Sequence, residues 1–149
     1  MDKSAHVKYL LDSFKKFVKR DLIERSGDPE TDFTIVNNSN FVVASHNGAD
    51  DPILNFGNKA ALDLWELDWA SFTKTPSRKT AELDLRAKRQ EMLMVAEKNG
   101  FFDNYEGVRI SSTGKRFMIK KVIIWNVEND AGNKICLLYT SDAADDSLR

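Results

Sequence analysis

The side chains able to exchange protons near neutrality are His6 and His46, the only two histidines in a chain of 149 residues. His46 stands a few residues before Asp50 and Asp51, near enough for a His-carboxylate pair in which each partner tunes the other's proton affinity. Its competing role is structural, a strand-end ring hydrogen-bonded to loop backbone, which is the commoner use of a half-buried polar group. No Cys pair, His-x-x-x-His or Asp-rich calcium loop occurs, which argues against metal chemistry. No Gly-x-x-x-x-Gly-Lys or Gly-x-Gly-x-x-Gly occurs either, so nucleotide hydrolysis and a Rossmann-bound cofactor have no support. Ser45, Ser77 and Ser112 lack a recognisable base partner, and Ser77 follows Pro76 as a turn residue would. With no second clear acid-base residue, the expectation is a noncatalytic protein.

The elements that must position these groups are partly explicit. Pro52 to Phe56 reads as a short strand, Gly57 permits a sharp turn, and Asn58 is a favoured N-cap for a helix from Lys59 to Leu67. Ala61, Leu62, Trp65 and Trp69 fall at helical spacing there. Val7, Leu10, Leu11, Phe14, Phe17, Val18 and Leu22 predict an amphipathic helix from about Ser4 to Arg25. Turn formers from Ser26 to Asp32 stop it. Phe33 to Asn38 is open between strand, by its β-branched and aromatic content, and helix. Phe41 to Ser45 predicts a buried strand, and Leu85 to Asn99 a helix with Arg89, Met92, Val95 and Ala96 on one side, stopped at Gly100. Tyr105 to Ser111 and Phe117 to Val127 flank a Gly114-containing turn and predict an antiparallel hairpin. Strict alternation puts Phe117, Ile119, Ile123, Trp125 and Val127 on one face and Met118, Val122 and Ile124 on the other. A further turn is expected at Asn129 to Gly132.

A content of 42% hydrophobic residues suits one modest domain. No apolar run approaches about 18 residues, and Lys15, Lys16, Lys19 and Arg20 interrupt the N-terminal apolar positions, so a cytoplasmic location is expected with no membrane partner. The near-neutral charge balance argues against a nucleic-acid partner. The basic residues Lys74, Arg78, Lys79, Arg86, Lys88 and Arg89 are interspersed with acidic ones, as on a solvated face. From Cys136 to Asp146 the residues coincide with one reading frame of a transposon-end sequencing adapter. The expectation is therefore that Ile135 is the last natural residue, that 136–149 is adapter translation, and that the lone Cys136 carries no redox or nucleophilic role.

Four segments carry a family resemblance: Val42 to His46, Asp51 to Leu67, Pro76-Ser77-Arg78 with Ala81-Glu82, and Tyr105 to Ser112 continuing through Gly114 to Asn126. In order and spacing the chain resembles the MEKHLA family, a group related to PAS sensor domains, and in its length the stand-alone bacterial form. The resemblance implies an α+β fold, a five-stranded antiparallel sheet cupped by helices, with residues 26–135 as its core and 1–25 as an added helix. It implies regulation rather than turnover, and it puts any ligand inside the cup. Candidate lining residues are Phe56, Trp65, Trp69, Met92, Tyr105, Phe117 and Trp125, with His46, Arg78 and Arg109 as polar anchors; for each aromatic the alternative is plain core packing. An unidentified small organic ligand, a noncovalent flavin included, is compatible with such a lining. Cysteinyl-flavin photochemistry is excluded, because no Asn-Cys pair opens a helix here. If one sheet cannot cover the N-terminal helix, a homodimer through it follows. The alternatives are a small enzyme or cofactor carrier acting through His46 or Arg109, and an interaction domain with a filled core.

Overall fold

Asn58 is the residue around which the chain is assembled. It lies between β2 (Leu54–Gly57) and α3 (Lys59–Trp65) and is fully buried. Its Oδ1 accepts from the N–H groups of Ala61 and Val43, both at 3.1 Å, and its Nδ2 donates to the carbonyls of Val36 at 3.0 Å and Phe41 at 2.9 Å. Every donor and acceptor site of the amide is thus filled. The bond to Ala61 is the predicted N-cap. The others fasten the cap to β1 (Val42–Asn47) and to α2 (Pro29–Asn37).

A computed structural model describes residues 2–80, 86–129, 134–141 and 144–145. The expected helix start at Leu85 and residues 130–132 of the expected turn lie outside them. The remaining elements are α1 (Lys3–Val18), α4 (Trp69–Phe72), a 3-10 turn (Ser77–Thr80), α5 (Arg86–Asn99), β3 (Phe101–Ile110), β4 (Arg116–Glu128), β5 (Lys134–Ser141) and β6 (Ala144–Asp145). The sheet is antiparallel in the order β2-β1-β5-β4-β3. Among the described residues it has six strands rather than five, because β6 adds a two-residue pairing with Met118 and Ile119 of β4.

Two helix boundaries differ from the sequence expectation and one open segment resolves as helix, each for a backbone reason. α1 ends at Lys19, which adopts φ 71, well before Arg25. Leu22 and Ile23 still pack on the same apolar cluster from the following loop, so the apparent helical spacing of Leu22 comes from a chain that folds back. Phe33 to Asn37 is helical: Asp28 Oδ2 accepts from Thr31 N–H at 3.2 Å and Pro29 opens the helix, a start that outweighs local strand propensity. α3 ends at Glu66, φ 58, and Trp69 begins a separate helix capped by Asp68. Trp65 and Trp69 therefore do not share a stripe.

The predicted faces of β4 are corrected by a pair of bulges. Gly107 pairs with Ile119 and Tyr105 with Val122, so β4 has one extra residue, beside Lys121 at φ 55. Phe102 then pairs with Ile124, so β3 has its own extra residue, beside Asn104 at φ 59. An extra residue turns every later side chain to the opposite face. Phe117, Ile119, Val122 and Ile124 accordingly share one cluster with Trp65, Phe72, Met92 and Tyr105. Trp125 and Val127 join Val7, Leu10, Phe14 and Phe56 in another. The first cluster is the concave side, under α3, α4 and α5. The second lies beneath α1, which crosses the other face with His6, Val7, Leu10, Leu11, Ser13 and Phe14 buried.

Gly100 makes the closing turn between α5 and β3. Its φ is +87, and an added Cβ would lie 2.0 Å from the Phe17 ring, so both conformation and space require glycine.

His6 sits in the seam between α1 and the sheet. Its Nε2–H donates to Ser45 Oγ at 3.1 Å, and that hydroxyl donates on to Asn55 Oδ1. The ring also lies 5.5 Å from the ring of Phe56. Burial pushes its pKa down to about 4, against about 6.5 in an unfolded chain. Between those values the unfolded chain takes up a proton that the folded chain refuses, so folding stability falls as pH falls through that window. The full loss, roughly 3 kcal/mol at about 1.4 kcal/mol per pH unit, is reached below about pH 4. Urea unfolding of wild type and His6→Gln at pH 7 and pH 4.5 checks it: the difference between the two proteins should narrow or invert on acidification. Parallel loss in both would remove His6 as the cause.

Candidate functional site

The concave side of the sheet is a packed aromatic cup. Trp65 descends from α3 to meet Phe117 of β4 edge to face at 5.5 Å and Phe72 of α4 at 6.2 Å. Met92 of α5 closes it from above, with 5% of its surface exposed. On β3, Tyr105, Gly107 and Arg109 follow one another along the strand. A Cβ at Gly107 would stand 2.6 Å from the Tyr105 hydroxyl and 3.0 Å from Arg109 Nη1, so glycine is what lets the phenol lie along the strand. Arg109 Nη2 donates to that hydroxyl at 3.2 Å, and its guanidinium lies 5.5 Å from the Tyr105 ring centre. This is a cation over an aromatic face at the distance where such attraction operates.

Where α3 ends and β3 turns into β4, the cup opens into a cleft of about 410 Å³ lined by Trp65, Leu67, Thr75, Lys79, Thr80, Ile110, Ser111, Ser112 and Gly114. The two walls are laced together. Ser112 N–H donates to the Trp65 carbonyl at 3.0 Å and Ser112 Oγ to the Glu66 carbonyl at 2.7 Å. The Glu66 carboxylate accepts from Ser111 Oγ at 2.6 Å and from Thr113 Oγ1. These hydroxyl bonds hold the Glu66 carboxyl below the usual carboxylate range, so the tie persists in mild acid. A second cleft, of about 370 Å³, lies between α1 and the loop before α2, where Arg25 bridges Asp12 and Asp32.

The predicted site residues divide between the two faces of the sheet. Trp65, Tyr105, Arg109, Met92 and Phe117 come together in the cup. Phe56 and Trp125 pack on the opposite face with Val7 and Phe14, and Trp69 meets Phe56 at 5.8 Å. His46 is buried near the end of β1, and its Nδ1–H donates to the Asn47 carbonyl at 2.8 Å. Asp51, one of its two expected carboxylate neighbours with Asp50, accepts from Arg78 Nε at 3.2 Å across two exposed side chains. Lys79, the next residue, lines the cleft where Arg78 was expected. The sequence places Lys79 only in a basic patch and does not mark Thr75, Thr80 or Leu67 as lining residues. A 3-10 turn after Pro76 is the signal that bears on it, since residues three apart eclipse there: Ser77 and Thr80 both turn inward and buried.

Among the described residues no group of three or more His, Cys, Asp and Glu side chains is placed to hold a metal ion. Among them, too, no helix is long and apolar enough to cross a membrane. Solved structures share the fold. A PAS domain from Colwellia psychrerythraea has a TM-score of 0.65 at 11% identity, over 74% of this chain and 92% of its own. An RNA-binding light-oxygen-voltage receptor has a TM-score of 0.63 at 16% identity, over 80% of this chain and 33% of its own. The light-state dimer of the fungal blue-light photoreceptor Vivid has a TM-score of 0.53 at 13% identity, over 69% of this chain and 77% of its own. At such identities the likeness is one of fold, that of PAS and light-oxygen-voltage sensory domains. No curated protein matches. The family model for the MEKHLA domain matches residues 4–143, and with the PAS-like sheet and cup in place the chain belongs to the MEKHLA domain family.

Proposed function

We propose that this protein is a noncatalytic sensory or regulatory module that takes a small organic ligand in the cup between sheet and helices. The observation that carries the reading is the cleft beside Trp65, a concavity of about 410 Å³ in which the apolar Trp65, Leu67 and Ile110 stand with the polar side chains of Thr75, Lys79, Thr80, Ser111 and Ser112. Its size falls within the roughly 300–1,000 Å³ of small-molecule sites. Tyr105 and Arg109 stand outside the lining of this cleft and belong to the reading as the polar pair of the packed cup. Phe56 and Trp125 are assigned to the seating of α1. A second reading, an interaction domain with a filled core, draws on the close ring contacts of Trp65 with Phe72 and Phe117.

The homodimer expected through the N-terminal helix depended on an apolar stripe that one sheet could not cover. In this fold α1 buries Val7, Leu10, Leu11 and Phe14 of that stripe on its own sheet, leaves Phe17 and Val18 half-buried and turns Asp12, Lys15 and Lys16 outward. A homodimer through α1 stays part of this reading, with Phe17 and Val18 among polar neighbours at its contact. Native mass spectra of the purified protein, compared with denaturing spectra of the same sample, test both points. The expected result is a dimer carrying excess mass that is lost on denaturation. A bare species sinks the ligand reading, and a monomer removes the helix interface.

The assignment of 136–149 to adapter translation acquires a structural meaning, because β5 stands in the middle of the sheet between β1 and β4. Strand pairing uses backbone groups that nearly any residue supplies, so an accidental Cys-Leu-Leu-Tyr-Thr run can occupy that slot. The family match runs to residue 143, past Ile135. The same gene recovered from an independent read set is expected to diverge after Ile135; an identical ending there overturns the assignment.

A further inference from the structure

The hydroxyl groups around the cleft are oriented by what they already hold. Thr75 Oγ1 donates to the Ser71 carbonyl at 2.8 Å, Thr80 Oγ1 to the Ser77 carbonyl at 2.7 Å, and Ser112 Oγ to the Glu66 carbonyl at 2.7 Å. Their protons are engaged, so toward the cleft they offer lone pairs only and need a donor from the ligand. Among the described residues Lys79 is the one charged side chain of the lining, and its ammonium makes no ion pair or hydrogen bond with them. An unpaired ammonium beside an apolar wall recruits an anion, and it does so without first breaking an internal contact. The apolar wall is the half-buried Leu67 and Ile110, beside the little of Trp65 that stays exposed, a surface suited to a ring.

Resting on the cup-ligand reading above, we infer that the cleft selects a small aromatic monocarboxylate carrying a hydroxyl donor. Its carboxylate meets Lys79, its ring lies against Leu67 and Ile110 beside Trp65, and its hydroxyl donates to the acceptor rim of Thr75, Thr80 and Ser112. A neutral alcohol lacks the group for Lys79, and an unhydroxylated acid leaves the rim without a donor. Each omission removes one of the two polar contacts that fix the ligand's orientation.

Three matched probes separate these contributions: 4-hydroxyphenylacetate, phenylacetate, and 4-hydroxyphenylethanol. Titration calorimetry on the full chain is expected to rank 4-hydroxyphenylacetate first, by about tenfold over the alcohol and by several-fold over phenylacetate. Lys79→Gln should erase the advantage over the alcohol while Lys79→Arg restores it. Lys79 is exposed, so neither variant disturbs folding. Equal binding of acid and alcohol, or an unchanged ranking in Lys79→Gln, overturns the anion selectivity while leaving a ligand in the cup. Failure of all three probes in a protein whose native mass spectrum shows bound material overturns the ligand class alone. Failure of all three with a bare native spectrum overturns the class together with the reading it rests on.

Discussion

Asn58→Ala is expected to lower the unfolding free energy by at least about 4 kcal/mol, a large share of the roughly 5–15 kcal/mol available to a domain. The substitution leaves the N–H groups of Val43 and Ala61 and the carbonyl of Phe41 without the partner each has now, and takes one of two donors from the Val36 carbonyl, which keeps the Ser39 N–H at 3.3 Å. A buried backbone group without a partner costs about 1–3 kcal/mol, and water entering the vacated space recovers part of it. Asn58→Asp separates donor from acceptor function. The carboxylate keeps both N–H bonds but faces two carbonyl oxygens, so its proton affinity rises, and the variant should regain stability relative to wild type as pH falls. Chemical denaturation of both variants is the measurement. A loss below about 1 kcal/mol for Asn58→Ala would mean that the bonds are replaceable and that Asn58 does not organise the fold.

Trp125→Ala is expected to cost about 3–5 kcal/mol and to release one particular part of the molecule. Trp125 donates from Nε1 to the Leu10 carbonyl at 3.1 Å and meets Phe14 edge to face at 4.7 Å. Both partners belong to α1, so the cavity opens beneath that helix while the Trp65 and Phe117 contact on the other face is untouched. Hydrogen exchange should accelerate across Lys3–Val18 well before it does in α3 or β3. Trp125→Phe retains most of the ring and should cost nearer 1 kcal/mol, the contribution of the hydrogen bond. Equal loosening of α3 and α1 would contradict the division of the core into two faces. Unaltered probe binding in Trp125→Ala would agree with its place outside the cup.

The strand, turn and capped helix around Asn58 were readable because each position there carries a residue with a strong local preference. So was the β3–β4 hairpin, through Gly114. What escaped was set by left-handed residues that are not glycine. Lys19, Glu66, Asn104 and Lys121 all have positive φ, and nothing about a lysine or glutamate announces it. Lys19 and Glu66 ended helices that apolar spacing would have continued. Asn104 and Lys121 displaced the alternation on which the face of every later residue depended, and Trp125 was placed in the cup for that reason alone. Half of the candidate site was legible in its aromatic content. Its polar rim was not, because Lys79 and Thr80 reach the cleft from a 3-10 turn whose partners lie on a distant hairpin.

The bulges beside Asn104 and Lys121 cancel. Above and below them the strands pair in the same register, with Phe101 opposite Trp125 and Ile110 opposite Arg116. Length in this hairpin is therefore counted in couples: a residue removed from one strand must be matched by one removed from the other, or part of the sheet turns inside out. When relatives of this chain are laid against it, a lone one-residue gap near either bulge would mark a misplaced gap or a protein whose cup has exchanged its lining with its back.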